Sequence, residues 1–315
     1  MIRQHALALA LALVIDFVLG DLEKLSHPVR WMGKAYFYFE RFFKKQKALN
    51  YGSGIITVLL IGSFFTLIPF LILIFIKPEI PRVLVEGFLL YWCLSVKNLA
   101  DESIDVYQAL HRQRMPKARK CLARIVGRDT DKLTVSQIAR AVVETIGESF
   151  VDGFLSPVFW GLLLGAPGAF FFKAVSTGDS MIGHPEPPYQ KFGWAAARLD
   201  DVLNWIPARL CPFFLTPAAI ICGLSSRGLL RAFAKDRLKH KSPNAAHGEA
   251  AFAGALGVKL GGANRYEGKV YPQAFLNASG RLCEERDILK AVSLLWFGAV
   301  VVFLFLLGLG HVWLL

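Results

Sequence analysis

Glu144, Glu148 and Asp152 recur at i, i+4 and i+8, a spacing that lays three carboxylates along one stripe of a helix. Like charges so placed repel, and a solvated face more often alternates signs. The stripe therefore reads as a row for Mg²⁺ or another cation, with an acidic surface stripe as the alternative. Thr177-x-Asp179-Ser180 offers hydroxyls and a carboxylate suited to Mg²⁺ or phosphate. Arg198 ahead of Asp200-Asp201 is a phosphate contact or a surface salt-bridge set. Gly261-Gly262 before Asn264, Arg265 and Tyr266 would let backbone N–H groups approach a phosphate, with Arg265 pairing to it. His184, between Gly183 and Pro185, reads as a loop residue. No G-x-x-x-x-G-K-[ST], G-x-S-x-G or H-E-x-x-H occurs, so a nucleotide site here is not a P-loop. The five cysteines lack CxxC spacing and read as free thiols. Together these stretches suit a small phosphorylated or carboxylated ligand.

The elements that position them are membrane helices. The chain has 315 residues, 54% of them hydrophobic and 19% charged, with a mean hydropathy of +0.43. Segments 54–76, 153–172 and 291–310 carry no charge over the length needed to cross roughly 30 Å of hydrocarbon. Segments 83–96 and 205–224 are weaker candidates, the first interrupted by Glu86 and the second by Arg209 and three prolines. The opening apolar stretch is followed by Asp16 and Asp21 rather than a small-residue cleavage site, which predicts a retained helix. The expected fold is an all-α, polytopic membrane protein of about five hydrophobic segments with helical polar regions between them. One membrane-embedded domain over 1–315 is the simplest organisation, since no repeat or low-complexity linker divides the chain.

The net charge of +12 fits topology. Segments 21–53, 97–152 and 225–290 hold seven, ten and twelve Lys/Arg, against two in 77–82 and three in 173–204. The rich segments belong on the cytoplasmic side. A nucleic-acid partner is excluded because the basic residues are mixed with acids and lack aromatic interleaving. Thr134 is a credible N-cap for a helix from Val135. The Gly/Pro density of 153–172 predicts a broken or re-entrant segment. Segment 173–204 reads as a loop between membrane segments.

Taken in order, these stretches resemble the adenosylcobinamide-phosphate synthase family of cobalamin biosynthesis. The resemblance rests on DLEKLSHPVR from Asp21, ETIGESFVDGFLSP from Glu144, STGDSMIG from Ser176, FGWAAARLDDVLNWIPAR from Phe192, and 242–268. It implies a multi-pass enzyme of the bacterial inner membrane with its site facing the cytoplasm. The implied reaction joins adenosylcobyric acid to (R)-1-aminopropan-2-ol or its O-phosphate through an amide, using ATP and Mg²⁺. On that basis Glu144, Glu148, Asp152, Asp179 and Asp201 are catalytic carboxylates, with Asp179 and Asp152 as metal ligands. Thr177, Ser180, Arg198, Lys259, Gly261, Gly262 and Arg265 contact phosphate or substrate, and Asn244, Glu249 and Tyr266 position substrate. Partners would be the corrinoid and amino-alcohol phosphate substrates, the bilayer, and other membrane enzymes of the pathway. Ser149, Ser176 and His184 depart from the family's usual Asn, Asn and Tyr.

Two other classes compete. A non-catalytic membrane sensor on the same scaffold predicts loss of the acidic and basic positions, which are largely retained. A transporter predicts charges within facing spans and an internal repeat. Here most charge lies between spans.

Overall fold

The computed structural model describes residues 1–21, 27–184, 186–240, 242–266 and 268–312. Part of the first resemblance segment, 22–26, lies outside them, as do residues 185, 241 and 267. Helices account for most of the chain: α1 (Ile2–Leu19), α2 (Pro28–Lys45), α3 (Tyr51–Ile74), α4 (Glu79–Tyr91), α5 (Val96–His111), α6 (Met115–Leu122) and α7 (Val135–Ser149) come first. A π-helical turn, Phe150–Leu155, leads into α8 (Ser156–Ile182). Then follow α9 (Tyr189–Phe192), α10 (Trp194–Leu203), α11 (Trp205–Ile221), α12 (Ser226–Asp236), α13 (Ala245–Leu256) and α14 (Glu285–Val312). Between α13 and α14 the sequence signalled no sheet, yet two antiparallel pairs form. β1 (Leu260–Gly261) pairs with β4 (Phe275–Leu276), and β2 (Asn264–Tyr266) with β3 (Lys269–Tyr271). Strands of two and three residues are too short to leave an alternating pattern.

Among the described residues, five helical stretches are long and apolar enough to cross a membrane: Ile2–Leu19, Tyr51–Ile74, Glu79–His111, Val135–Ile182 and Glu285–His311. α11 is apolar but shorter. Only 33% of the most apolar window of α3 is buried. Ile56, Leu60, Phe64 and Phe70 stand exposed along it, a surface stable only against lipid.

The chain divides into two compact units that interleave in sequence. The first comprises 1–95, 154–204 and 305–315. Its centre is α8, against which α1, α2, α3, α4 and α10 pack. The expected break in the Gly/Pro-rich segment falls at Gly165, whose φ of 69° and ψ of −163° interrupt α8. A side chain there would be strained, and a β-carbon would fall 2.4 Å from both Glu86 and His5. The backbone N–H that the break frees, that of Ala166, donates to Glu86 Oε1 at 3.1 Å. A carboxylate from α4 thus caps the second half of α8.

The second unit comprises 96–153 and 205–304. Here α12 and α7 pack on α13, α11 packs on α12 and α13, and α5 and α6 pack on each other and on α7. Thr134 caps α7 as its sequence predicts: it forms a capping box in which Gln137 N–H donates to Thr134 Oγ1 and Thr134 N–H donates to Gln137 Oε1.

Candidate functional site

Glycine brings α7 and α13 together. A β-carbon on Gly248 would fall 1.9 Å from the Gly147 carbonyl oxygen, and one on Gly147 would fall 2.9 Å from the Glu249 α-carbon. With backbones touching, the residues beside the glycines, Glu148 and Glu249, stand within each other's electrostatic reach, and Glu144 joins them. The stripe itself is only partly realised. Glu144 is buried and Glu148 exposed, while half-buried Asp152 lies in the π turn, where the wider winding takes it out of the α-helical register.

Glu144 is the hub. Arg128 donates to its Oε2 at 2.6 Å, and the Gly261 N–H donates to its Oε1 at 2.8 Å. Arg140, one turn earlier on α7, lies with Nε 3.6 Å from Oε1. The two arginines share a third partner: Asn264 Oδ1 accepts from Arg128 at 2.7 Å and from Arg140 at 2.8 Å. Arg140 also donates to the Gly261 carbonyl. Asn264 Nδ2 passes the chain on to Gln273 at 2.9 Å, and Gln273 meets the His240 ring at 3.3 Å. The array ties the 123–134 loop, α7 and both strand pairs into one frame.

Its electrostatics separate the three glutamates. Burial pushes the Glu249 carboxyl well above the usual carboxylate range, and the charges on Glu148 and Glu144 push it the same way. Glu249 therefore holds its proton to higher pH than an ordinary carboxyl, while Glu144 is paired with guanidinium. Burial works against the Arg128 cation, but Glu144 outweighs it and the arginine is held more firmly charged than usual. Tyr266, half-buried on β2, is raised first by burial, with Arg128 opposing and the glutamates adding. Glu144, Glu148, Glu249, Tyr266 and Arg128 thus form one electrostatically coupled cluster.

The remaining sequence-predicted residues of this unit surround the cluster unevenly. Gly261 and Gly262 have positive φ, 78° and 87°, but the Gly261 N–H expected to meet a phosphate is held by Glu144. Lys259 is half-buried over the Phe275 ring at 4.8 Å. Arg265 is exposed on β2. Asn244 opens α13, although it is Ser242 Oγ that accepts from the Asn244 and Ala245 N–H groups.

Thr177, Asp179, Ser180, Arg198 and Asp201 belong to the first unit. Segment 173–204 is mainly helical rather than a loop: α8 runs on to Ile182, and α9 and α10 follow. The Thr177 and Ser180 hydroxyls donate back to the Lys173 and Ser176 carbonyls, the usual habit of such residues inside a helix. Arg198, with 68% of its side chain exposed, pairs with Asp201 at 3.6 Å, which realises the salt-bridge reading. It lines an open apolar groove of about 290 Å³ with Ile55, Val58, Leu59 and Trp194. His184 is an exposed loop residue whose ring meets Tyr189 edge-on.

The metal pair expected from the sequence falls in different units, Asp152 in the second and Asp179 in the first. Among the described residues, no group of three or more His, Cys, Asp or Glu side chains is placed to hold a metal ion. Mg²⁺ bound with substrate phosphates needs only one or two protein carboxylates. In the second unit, exposed Glu148 and half-buried Asp152 are the carboxylates that could serve such an ion.

Comparison with known proteins covers this whole frame. The profile of the CobD/Cbib protein family matches residues 9–295. The chain belongs to that family. A cobalamin biosynthesis protein CobD of Clostridium perfringens is 39% identical over 285 residues, spanning 90% of each chain. The CobD of Desulfotalea psychrophila is 38% identical over 309 residues, covering 93% of this chain and 94% of its own. The CbiB of Salmonella typhimurium is 37% identical over 301 residues, covering 94% of each. No solved structure matches. All the residues of the Glu144 array lie within the CobD/Cbib match. Of these, Arg128, Arg140 and Asn264 were not singled out as site residues from the sequence. Arg128 lies in a turn-forming stretch, Gly127-Arg128-Asp129, that signals a helix break rather than a site, and uncharged Asn264 stands beside the more conspicuous Arg265. Arg140 did carry a signal, since it stands four residues before Glu144.

Proposed function

We propose that this chain, a CobD/Cbib family protein of cobalamin biosynthesis, is the ligase that forms adenosylcobinamide phosphate. It would join adenosylcobyric acid to (R)-1-aminopropan-2-ol O-phosphate, or to the free amino alcohol, at the expense of ATP. The observation that carries the reading is the glutamate cluster: Glu144 is neutralised by Arg128 while Glu148 and protonated Glu249 stand beside it. An amino alcohol arrives as an ammonium ion, and such a cluster attracts it. Glu148 takes its proton, and the freed nitrogen lone pair attacks the activated corrinoid carboxyl carbon. The C–N bond forms, the second nitrogen proton passes to the leaving phosphate as the C–O bond to it breaks, and hydrogen phosphate departs. Glu249 donates a hydrogen bond that orients Glu148. Exposed Arg265 and half-buried Lys259 serve the phosphates. Mg²⁺, held by Glu148 or Asp152 together with those phosphates, would supply charge neutralisation. The Lys/Arg-rich segments 97–152 and 225–290, which carry the cluster, support a site on the cytoplasmic face of the inner membrane.

The test is a coupled assay on the full chain in detergent, with adenosylcobyric acid, Mg-ATP and either amine, following the corrinoid by mass spectrometry. An ATP-dependent mass gain identifies both ligase and amine. No product with either amine from folded protein would favour a non-catalytic sensor on this scaffold.

A further inference from the structure

His247 is buried without a hydrogen-bond partner on either ring nitrogen, and the ligation chemistry leaves it unused. It lies on the third position of α13 with no exposed surface. Close helix contact explains the burial. A β-carbon on Gly254 would fall 2.2 Å from the Gly228 carbonyl, and one on Gly228 would fall 2.4 Å from that of Gly254, so α12 and α13 cross backbone to backbone. The Ser225 N–H, at the cap of α12, donates to Ala255 O at 3.1 Å and holds the crossing. The imidazole is trapped beneath, with the Phe233 ring edge-on at 5.4 Å. Burial, then Arg209 and Arg237, lower its pKa to about 4, so the ring is neutral.

The two arginines are as unusual as the histidine. They lie within each other's electrostatic field. Among the described residues neither has a carboxylate within ion-pair distance, although twelve of the charged pairs formed elsewhere involve Lys or Arg. Arg209 lies over the Trp205 ring at 4.1 Å and donates to Trp205 O at 2.6 Å. Arg237 lies over the Phe233 ring at 5.5 Å and donates to Ala234 O at 3.0 Å. Each guanidinium thus keeps a fork of further N–H donors for another acceptor. Two like charges held together with no counterion, over a neutral imidazole that can donate one hydrogen bond, lack one component. That component is an anion with several acceptor oxygens.

We propose that Arg209, Arg237 and His247 form a phosphate-binding site separate from the glutamate cluster. The ligand is a phosphate group, presented by a soluble phosphate or by the headgroup of an anionic phospholipid. The two guanidinium groups turn from their single carbonyl bonds to clamp its oxygens, and this movement opens a way to the imidazole, which donates the third bond.

The experiment uses the full chain in detergent and in nanodiscs and reads binding, so it does not depend on ligase activity. Inorganic phosphate is titrated against thermal stability, and lipid retention is measured by native mass spectrometry from phosphatidylglycerol and phosphatidylcholine nanodiscs. Saturable stabilisation by phosphate, weakened about tenfold or more in Arg209→Gln/Arg237→Gln, establishes the site for a soluble phosphate. Selective retention of phosphatidylglycerol, lost in the same double variant, establishes it for a headgroup. Arg209→Lys/Arg237→Lys keeps the charge and controls for folding, and it should retain part of the binding. His247→Phe fills the same space without nitrogen donors and should weaken binding several-fold. Phosphate binding and lipid retention unchanged in the Gln double variant would overturn the proposal.

Discussion

Two buried glutamates, one in each unit, show how the same side chain is used differently. Glu86 in the first unit is 1% exposed, Glu144 in the second 4%. Glu86 accepts one backbone N–H, that of Ala166, and has His5 Nδ1 at 3.3 Å, while its Oε2 has no hydrogen-bond partner. Glu144 has a strong donor on each oxygen and a second arginine alongside. The first completes a broken helix, where an acceptor oxygen is the requirement. The second fixes two cations and a loop, where charge is the requirement. A buried carboxylate alone therefore says little, and what distinguishes it is the number and charge of its donors.

The largest effect should come from breaking the charged hub. Arg128→Ala leaves Glu144 buried without its main partner, a change that costs about 3–5 kcal/mol. Unfolding in detergent should shift accordingly, and product formation should disappear. Wild-type stability in this variant would remove Glu144 from its organising role.

The helix crossing comes next. Gly248→Ala puts a methyl group onto the Gly147 carbonyl and forces α7 from α13, costing about 1–3 kcal/mol. Separating the helices also separates Glu148 from Glu249. Activity should fall further than stability, and the kcat of the residual folded protein measures this. Equal losses would mean that the crossing serves packing alone.

The comparison itself is sharpened by one substitution made twice. Glu86→Gln keeps an oxygen for the Ala166 N–H and should cost about 1 kcal/mol or less. Glu144→Gln leaves Arg128 without a counter-charge and should cost several times more. Thermal midpoints of the two variants in the same detergent decide it, and equal shifts would erase the distinction.

Much of the fold could be read in the sequence, for physical reasons that also explain the gaps. Long uncharged runs leave only a bilayer as surroundings, which is why 54–76, save its last two residues, and 291–310 lie within spans of the structure. The break at Gly165 and the cap at Thr134 are local and visible in residue types. The Glu144 array is not local: Arg128, Glu144 and Asn264 come from three separated segments, and nothing in the spacing joins them. The loop expected over 173–204 failed because hydroxyls and carboxylates mark solubility as readily as irregular backbone. The stripe failed at Asp152 because a π turn does not alter composition. Family resemblance made up part of this deficit, since the ordered segments on which it rests include the end of α7 from Glu144 and the 242–268 stretch, though neither Arg128 nor Arg140.

The smallest effect concerns Glu249 and depends on pH. Its folded-state pKa is raised, by burial first and then by Glu148 and Glu144. The native state therefore binds this proton more tightly than the unfolded state does. The resulting stability is fully present below the unfolded carboxyl value of about 4.3 and is lost as pH rises through the folded value. Glu249→Gln imitates the protonated form at every pH. It should match wild type near pH 4 and become progressively the more stable of the two as pH rises, in thermal unfolding across a pH series. Glu148→Gln removes a charge that raises Glu249, so the loss of stability with rising pH should be smaller and end at lower pH, narrowing the gap to the Glu249→Gln curve. A constant difference between Glu249→Gln and wild type across the series would mean that the folded-state pKa of Glu249 is not raised, and the division of labour among the three glutamates would fail with it.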